Sequence, residues 1–405
     1  NCPIYGIFNG ELADNAANKK EEILMKRTMK KMVSMALTGT MAVAVLAGAG
    51  TSEVKAADKA KIGVLVADVS GEEAQGFRSY YENYIAGNYD VEFNYTDALQ
   101  SAEDEKTAIE KFASQGCQAI ISFSSNDRVQ QIETCEKYGV YYAVASGVLD
   151  DAQYETYKTY EYFAGQVGPG NDTEFEAGKD MGAYYKEQGV SKVAIYGAFI
   201  PNPMHVYRVA GVLNGLGCTY GGESDMNAIA GQIFQDQTVD LSKVEGDVEV
   251  VSYLQGYGDT TTDELNAAIQ KTPDAFISVG MATTFFAQSL SEAGISFSDI
   301  DSFTETNGNS MKNGTLTYLA GKYSSSIGPV FALVMNAING NVIRDEDGNA
   351  PSISQGYLVA TDSDTFDKYS VSDSGDAPIY DKETLDSIIG DNVTFEDVKT
   401  LVESK

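Results

Sequence analysis

Short apolar runs alternate with amphipathic stretches along most of the chain, starting at Lys61. The repeat spans roughly 25 to 30 residues, which is typical of the strands of a parallel sheet connected by helices that cover it. In its first half the pattern predicts strands over 62–66, 91–95, 119–123 and 141–145, and helices over 72–85, 102–114 and 128–137. Asp127 is predicted to cap the third helix and Gly139 to end it.

A polar, tyrosine-rich stretch over 149–160 interrupts this rhythm and is the first predicted domain boundary. The rhythm then resumes, with strands predicted over 162–167, 192–196, 249–254, 275–279 and 300–303, and helices over 174–187, 207–216, 262–270 and 285–293. Two halves with the same rhythm predict an α/β protein built from two doubly wound parallel-sheet lobes. Because ligands of open α/β sheets bind outside the carboxyl ends of the strands, we expect the site in a cleft between the lobes.

The composition restricts the possible functions. The chain has 28 Lys+Arg and 59 Asp+Glu, a formal net charge of −31 and a single histidine, His205. This negative charge repels phosphate backbones and no cluster of basic residues compensates it, so we expect no nucleic-acid binding. One histidine excludes multi-histidine metal sites, and no nucleophile, base and orienting group occur together in a motif. The sequence therefore predicts no cofactor, no metal site and no catalytic residue.

The amino-terminal region predicts export. Lys and Arg residues within 26–31 precede an uncharged run over 32–50, as in the n-region and h-region of a secretory signal. Small residues end this segment at Ala56, so we predict a signal peptide over 25–56 and a bacterial protein of the cell envelope or the exterior. An uncleaved membrane anchor is the alternative. Residues 1–24 precede the first methionine of this signal. We interpret them as leader DNA that has been read as amino-acid sequence and is not part of the protein.

Three cysteines follow the predicted signal peptide, namely Cys117, Cys135 and Cys218. Their number is odd, and they show neither a CxxC motif nor metal-ligand spacing. We therefore predict buried thiols, with a disulfide between Cys117 and Cys135 as the alternative.

Several segments keep an order and spacing that goes beyond a generic repeat of strand and helix. They are KIGVLV at 61–66, FASQGCQAIIS at 112–122, YGVYYAV at 138–144, EAG at 176–178, RVAG at 208–211, PDAFI at 273–277 and the helix that opens at 327–328. Together they resemble the type I periplasmic (solute) binding proteins, the ribose- and galactose-binding group of bacterial ABC importers. The resemblance covers nearly all of residues 61–362.

The resemblance implies two lobes joined by a hinge of three strands, because the chain of such proteins crosses between the lobes three times. The crossings are expected near 161–166, 316–322 and 352–358. An N-terminal lobe would then comprise 57–161 and 316–345, and a C-terminal lobe 162–315 and 350–405. Such proteins close on a small solute, and closure is favoured only by the solute's higher affinity for the closed form.

Six candidate ligand contacts lie after strands of the predicted N-terminal lobe. They are Asp68, Ser70, Phe123, Ser124, Asp127 and Ser146. The residues after the first strand have a structural alternative, since Ser70 followed by two acidic residues also suits a helix amino terminus. Ser146 stands where the sugar-binding members of the resembled family carry an Asp-Arg pair, which weakens the assignment to a pentose or hexose.

Arg208 matches the ligand-binding arginine that the resemblance implies for the other lobe, with Gly211 three residues later. Its guanidinium could hold two hydroxyls or a carboxylate at once, whereas the alternative is an arginine paired with an acid. Further candidates at positions of the family's site are Phe199, Met281, Glu305, Asn307 and Lys322. Because Trp is absent, any stacking face would come from Phe or Tyr, with Phe123, Tyr142, Phe163 and Phe199 as candidates.

The leading hypothesis is an exported, non-enzymatic, monomeric protein that captures a small polar solute, a sugar or sugar-like molecule, for an ABC-type permease. The charges of Arg208 and Lys322 favour a solute with a carboxylate or a polar head. The alternatives are a nucleoside-binding or chemosensory protein of the same superfamily, the effector domain of a lac-repressor-type regulator, and an enzyme. A repressor would need a helix-turn-helix ahead of the core, where the predicted secretion signal stands instead.

Overall fold

The computed structural model describes residues 59–372 and 377–405. The predicted leader (1–24) and signal peptide (25–56) lie outside the described residues. Within the described residues, no helix has the length and apolar character needed to cross a bilayer.

Strands and helices alternate along the chain as the repeat predicts. The first half contains β1 (Ala60–Leu65), α1 (Glu72–Ser79, continued by a π-helical segment, Tyr80–Ile85, and a last turn, Ala86–Asn88), β2 (Val91–Tyr95), α2 (Ala102–Ser114), β3 (Ala119–Ser122), α3 (Arg128–Tyr138), β4 (Tyr141–Ala145), α4 (Asp151–Tyr157), β5 (Phe163–Gly168), α5 (Asn171–Glu187), β6 (Lys192–Tyr196) and α6 (Pro203–Gly215). The second half contains β7 (Thr219–Tyr220), α7 (Met226–Asp236), β8 (Val244–Glu245), β9 (Glu249–Leu254), α8 (Asp259–Gln270), β10 (Ala275–Ser278), α9 (Ala282–Ala293), β11 (Ser296–Ser302), α10 (Glu305–Lys312), β12 (Leu316–Lys322), α11 (Gly328–Ile338), β13 (Ser352–Ser354), β14 (Leu358–Ala360), α12 (Ser363–Ser372), α13 (Lys382–Asp386) and α14 (Phe395–Glu403).

Two six-stranded sheets form the centres of two lobes. The first sheet has the order β13-β5-β4-β3-β1-β2 and is parallel throughout. The second has the order β14-β12-β11-β10-β6-β9 and is parallel except for β14, which runs antiparallel to β12. Helices cover both sheets, so the predicted α/β architecture with two doubly wound lobes is confirmed. Below, the first lobe is the part built on the first sheet, and the second lobe is the part built on the second.

Two of the three crossings between the lobes lie later in the chain than expected. β5 pairs with β4 and so belongs to the first sheet, although residues 162–168 were assigned to the C-terminal lobe. β12 pairs with β11 in the second sheet, although residues 316–322 were assigned to the N-terminal lobe. Each strand joins the sheet on which its apolar side chains are buried. The crossings therefore follow β5 and β12, and a third lies between β13 and β14.

The carboxyl-terminal segment returns to the first lobe, whereas the sequence assigned all of 350–405 to the second. Phe366 of α12 still packs in the second lobe, but Leu385 and the α14 residues Val398 and Val402 are buried in the core of the first. Val398 and Val402 are four residues apart and so share one face of α14. The Asn336 side chain of α11 also bonds the backbone of the returning segment at Ile388 and Gly390.

Local signals in the sequence are expressed as predicted in the helix after β3. The Asp127 side chain accepts a hydrogen bond from the backbone N–H of Gln130 at 2.9 Å, and Gly139 ends the helix with φ of 68°. The stretch 149–160 is not only a connection, because it forms α4. Asp150 and Gln153 make a capping box at its start. The three cysteines of the folded unit are buried free thiols, as predicted.

Glycines allow a close contact between α5 and α6 in the second lobe. A Cβ built at Gly178 would lie 2.0 Å from the carbonyl O of Arg208, and one at Gly211 would lie 2.0 Å from the carbonyl O of Phe175. Gly182 and Gly215 extend the same contact. The absence of four side chains therefore lets the two backbones touch, and this contact positions the residues at the amino ends of both helices.

Asp299 predicts a pH dependence of stability. It is fully buried in β11 and accepts hydrogen bonds from Ser278 Oγ, Thr283 N and Ile300 N. Burial, reinforced by the charge of Asp301, raises the pKa of Asp299 to about 7. Since an unfolded aspartate titrates near pH ~3.9, the folded state binds the proton more tightly. This contribution is complete below about pH 4 and is lost as the pH rises through about 7.

We expect the free energy of unfolding of the wild type, relative to Asp299→Asn, to fall by at least ~1 kcal/mol between pH 4 and pH 8, since one pKa unit corresponds to ~1.4 kcal/mol. Urea unfolding at several pH values measures this difference. Asp362→Asn is the control. A backbone hydrogen bond from Thr365 lowers the pKa of Asp362, so the contribution of Asp362 to stability changes with pH in the opposite direction. A difference between wild type and Asp299→Asn that does not vary with pH would contradict the prediction.

Candidate functional site

A cavity of about 960 Å³ lies between the two lobes at the carboxyl ends of the first-sheet strands. The first-lobe wall comes from the segments after β1, β3 and β4. The second-lobe wall comes from the amino ends of α5 and α6. Residues next to the crossings, including Gly170 and Lys322, close the side nearest the hinge. This volume is that of a small-molecule site.

Two phenylalanines form an apolar surface in the first-lobe wall. Phe77 of α1 and Phe123 after β3 both line the cavity and stack with ring centroids 5.4 Å apart and an interplanar angle of 25°. The other candidates for stacking are placed differently. Tyr142 and Phe163 are buried in the core of the first lobe, and Phe199 packs against His205. Phe123 is therefore the one of these four candidates that lines the cavity.

The turn after β1 is held by Asp68. Its carboxylate accepts hydrogen bonds from Ser70 N at 2.9 Å, Ser70 Oγ at 3.0 Å and Gly71 N at 3.0 Å. The bond from Ser70 N lowers the pKa of Asp68, so this group stays ionised at neutral pH. Asp68 lines the cavity, whereas the Ser70 hydroxyl is directed to Asp68 and does not. Ser70 therefore orders the turn.

Ser124 and Asp127 are part of a buried network behind the cavity wall. The carboxylate of Glu105, which is fully buried, accepts hydrogen bonds from Ser124 Oγ and from the backbone N–H groups of Asn126 and Asp127. The Asp127 side chain is used as the helix cap described above. Neither predicted residue lines the cavity; both shape the loop that carries Phe123.

The segment after β4 makes another part of the wall, together with an arginine that the sequence did not single out. Ser146 lines the cavity and has φ of 56°, in the left-handed region. Gly147 follows it, and a Cβ built there would lie 2.9 Å from Arg128 Nη2. Arg128, the first residue of α3, also lines the cavity and donates from Nη1 to the carbonyl O of Val148. No local signal could have found Arg128, since loop contacts direct its side chain.

Arg208 is buried behind the second-lobe wall, with 3% of its surface exposed. Its Nε lies 2.6 Å from Glu174 Oε2, and Nη2 donates to Glu174 Oε1 at 3.3 Å and to Tyr357 Oη at 2.7 Å. Nη1 donates to the carbonyl O of Val279 at 2.8 Å. Arg208 therefore connects α5, the end of β10 and the β13–β14 crossing. This arrangement is the acid-paired alternative of the sequence analysis.

His205 lies near Arg208 and is also buried. Burial and, next, the charge of Arg208 lower the pKa of His205 to about 3, so the imidazole is neutral. Its Nδ1 lies 3.2 Å from both the backbone N and the carbonyl O of Phe199. Phe199 further packs against the exposed ring of Tyr257. Neither Phe199 nor Met281 lines the cavity.

The lobes are linked beside the hinge by two consecutive glutamates of α1. Glu72 accepts hydrogen bonds from Glu305 N at 3.0 Å and Thr306 Oγ1 at 2.7 Å. Glu73 accepts one from Ser302 Oγ and lies 3.6 Å from Lys322 Nζ. The charge of Lys322 is therefore paired with a carboxylate, as is that of Arg208. These pairs argue against a role of either cation in attracting an anionic solute.

Two further predicted residues belong to the second-lobe side of this contact. Glu305 is exposed and takes part through its backbone N–H. Asn307 is buried, and its Nδ2 donates to the carbonyl O of Ser302 at 2.8 Å and to Asp301 Oδ2 at 3.2 Å. Neither lines the cavity.

No protein-family model and no curated protein matches the chain. Solved structures do match it. An ABC-transporter periplasmic solute-binding protein from Actinobacillus succinogenes with bound D-allose has a TM-score of 0.58 at 16% identity, over 77% of this chain and 100% of its own. An ABC-transporter solute-binding protein from Bacillus halodurans with bound myo-inositol has a TM-score of 0.55 at 16% identity, over 78% of this chain and 99% of its own. The arabinose-binding component from a Shewanella species has a TM-score of 0.54 at 16% identity, with 76% and 94% covered.

This chain has the type I periplasmic binding protein fold. The fold predicted from the order of its segments is confirmed. Within this fold, four of the predicted site residues line the interlobe cavity together: Asp68, Phe123, Ser146 and Lys322. The other eight lie in the turn after β1, behind the wall, in the hinge-side contact or on the second-lobe surface. The roles of all twelve as ligand contacts stay predictions.

Proposed function

We propose that the protein is a non-enzymatic binding protein that captures a sugar or sugar-like solute in the interlobe cavity. The observation that carries this proposal is the position of the cavity, between two lobes joined by several separate crossings. Two lobes connected in this way can rotate toward each other around a solute. The cavity between the lobes would then enclose the solute.

The chemistry of the wall supports a carbohydrate ligand. Phe77 and Phe123 offer an aromatic surface to the apolar face of a sugar ring, while Asp68, Ser146 and Arg128 offer groups that bond hydroxyls. The structures most relevant to this proposal were solved with D-allose and myo-inositol bound. A polyhydroxylated ring is the solute class that uses both kinds of surface.

An ABC-type permease is the proposed partner, and the proposed place of action is outside the cytoplasm. The similar solved structures are described as components of ABC transporters. The secretory signal expected over 25–56 supports export. The protein would act as a monomer that passes its solute to the membrane protein.

A ligand screen by thermal unfolding tests the proposed function. D-allose, L-arabinose, myo-inositol and D-galactose are compared with adenosine and with L-leucine on the purified protein. A sugar at 100 times its Kd is expected to stabilise the folded form by ~2.7 kcal/mol, because it binds only that form. The Tm should therefore rise with sugar concentration and the sugar should be recovered unchanged. A shift with adenosine alone would favour the nucleoside-binding alternative, and turnover of a bound sugar would contradict the proposal.

A further inference from the structure

We propose that Arg128 is the residue that anchors the solute, donating from its guanidinium to two neighbouring hydroxyl oxygens of an uncharged sugar or polyol. This inference rests on the proposed function of the cavity and specifies the solute class. It assigns a contact to a residue at the start of α3, outside the set predicted from the sequence.

The first argument is the state of the Arg128 side chain. It lines the cavity, and its Nε is buried without a hydrogen-bond partner among the described residues. Nη1 donates to a backbone carbonyl, that of Val148, which carries no charge. Burial lowers the pKa of Arg128, although the charged form remains the stable one at neutral pH. Because Nε is shielded from solvent, a solute in the cavity would accept hydrogen bonds from the Nη donors of the guanidinium.

The second argument is the contrast with the other cations of the cavity. Arg78 pairs with Glu82 at 3.0 Å and lies 4.6 Å over the ring of Tyr95. Lys322 pairs with Glu73. Among the described residues Arg128 forms no ion pair with a carboxylate; the charge of Glu105 acts on it, but the hydrogen bonds of that carboxylate are to Ser124 and two backbone N–H groups. Arg128 is therefore the cation that is available to a solute.

The third argument is that the protein fixes the position of this guanidinium. Gly147 has φ of 156°, and a Cβ there would collide with Arg128 Nη2. On its other side, the backbone of Gly147 packs against Gly168, where a Cβ would lie 2.3 Å from Gly147 N. The guanidinium is therefore held against the backbone of Gly147, and preorganised donors bind with little loss of entropy.

The charge of the cavity selects an uncharged solute over an acidic one. Six carboxylate side chains line it, against three cationic ones: Asp68, Glu73, Asp150, Asp151, Asp172 and Glu174 compared with Arg78, Arg128 and Lys322. The chain as a whole carries −31 charges. An anion would be repelled by this field. Adjacent hydroxyls instead accept from the guanidinium fork and donate to the carboxylates.

Isothermal titration of purified variants with the sugar that shifts the wild-type Tm, and with D-galacturonate, tests the proposal. Arg128→Gln and Arg128→Lys are both expected to weaken binding of the neutral sugar at least ~tenfold, because neither retains the fork. The matched control is Arg344→Gln. Arg344 is also half-buried and donates to backbone carbonyls, those of Ile343, Tyr160 and Glu161, but it does not line the cavity. The affinity of Arg344→Gln for the neutral sugar should stay within twofold of that of the wild type.

The outcomes separate this inference from the proposed function. If the wild type binds no sugar of the panel, the proposed function fails and the role of Arg128 fails with it. If the wild type binds but Arg128→Gln binds equally well, only the role of Arg128 is overturned. Full affinity in Arg128→Lys would show that a positive charge without the guanidinium fork is sufficient, and would overturn the contact with two hydroxyls. Tighter binding of D-galacturonate than of the neutral sugar would overturn the assignment to an uncharged solute. Tm values without sugar verify that each variant is folded.

Discussion

Replacing Arg208 with alanine is expected to lower the free energy of unfolding by about 3–5 kcal/mol. The guanidinium and the carboxylate of Glu174 are 3% and 4% exposed at their side chains, so both are almost completely removed from water. Removing Arg208 leaves the Glu174 charge buried with only Tyr357 Oη as a donor among the described partners. It also leaves the carbonyl O of Val279 without this donor. Urea unfolding of the purified variant at neutral pH measures the loss.

A salt bridge on the exposed face of α5, the helix that carries Glu174, is the control. Lys179 and Glu176 lie 2.8 Å apart on α5 with 40% and 55% of their side chains exposed. Lys179→Ala should change the free energy of unfolding by no more than ~0.5 kcal/mol. A double variant, Arg208→Met with Glu174→Met, should cost less than the sum of the two single changes, because it leaves no unpaired charge. Additive losses would contradict the buried-pair interpretation.

The Arg208→Ala variant also tests whether Arg208 contacts the solute. The sequence matched it to a ligand-binding arginine, whereas the structure places it behind the wall of the cavity. Titration of Arg208→Ala with the sugar that binds the wild type, at a temperature where the variant is folded, separates the two roles. A retained affinity shows that Arg208 does not contact the sugar, whereas a lost affinity in folded protein shows that sugar binding depends on the Arg208–Glu174 pair.

The pattern of apolar residues was sufficient to predict nine of the twelve strands of the two sheets and seven of the fourteen helices named above. It was not sufficient to assign strands to lobes, because β5 and β12 are apolar runs that fit either sheet equally well. The assignment depends on which neighbours they meet, and these neighbours are distant in sequence. The capping box that starts α4 was visible in the sequence, but the surrounding tyrosines hid the helix.

The carboxyl-terminal segment shows the same limit. Val398 and Val402 make an apolar face that predicts a helix packed on a core. Nothing in these residues indicates which core. The return to the first lobe follows from contacts such as Asn336 Nδ2 with the carbonyl O of Ile388, which join residues 52 positions apart.

Three of the candidate residues that follow strands of the first sheet line the cavity, and their roles as ligand contacts stay predictions. Asp68, Phe123 and Ser146 lie in the cavity because the carboxyl ends of parallel strands meet there. Arg128 and Arg208 show what strand ends alone cannot provide. The partner of Arg208, Glu174, is 34 residues away, and the orientation of Arg128 depends on Gly147 in another loop. Whether an arginine is paired or available is a tertiary property.

The second large effect is expected for Gly211→Ala, because its added methyl group would meet backbone atoms. The new Cβ would lie 2.0 Å from the carbonyl O of Phe175, 2.8 Å from Lys179 N and 3.0 Å from Phe175 C. These atoms belong to α5 and cannot rotate away as a side chain does, so the two helices must separate. We expect a loss of about 3 kcal/mol in the free energy of unfolding, measured by urea titration.

The helix propensity of alanine acts in the opposite direction, and Gly231→Ala isolates it. Gly231 lies inside α7, and a Cβ there meets nothing within 4 Å, so this variant should be more stable by ~0.5–1 kcal/mol. Because Gly211 gains the same propensity, the steric cost at α5 is larger than the observed loss.

Separation of α5 from α6 would also move Glu174 away from Arg208. Gly211→Ala should therefore reduce sugar affinity although residue 211 does not line the cavity. A Gly211→Ala variant as stable as Gly231→Ala would show that the helices can part at no cost, and the close backbone contact would then have no role in holding the second-lobe wall.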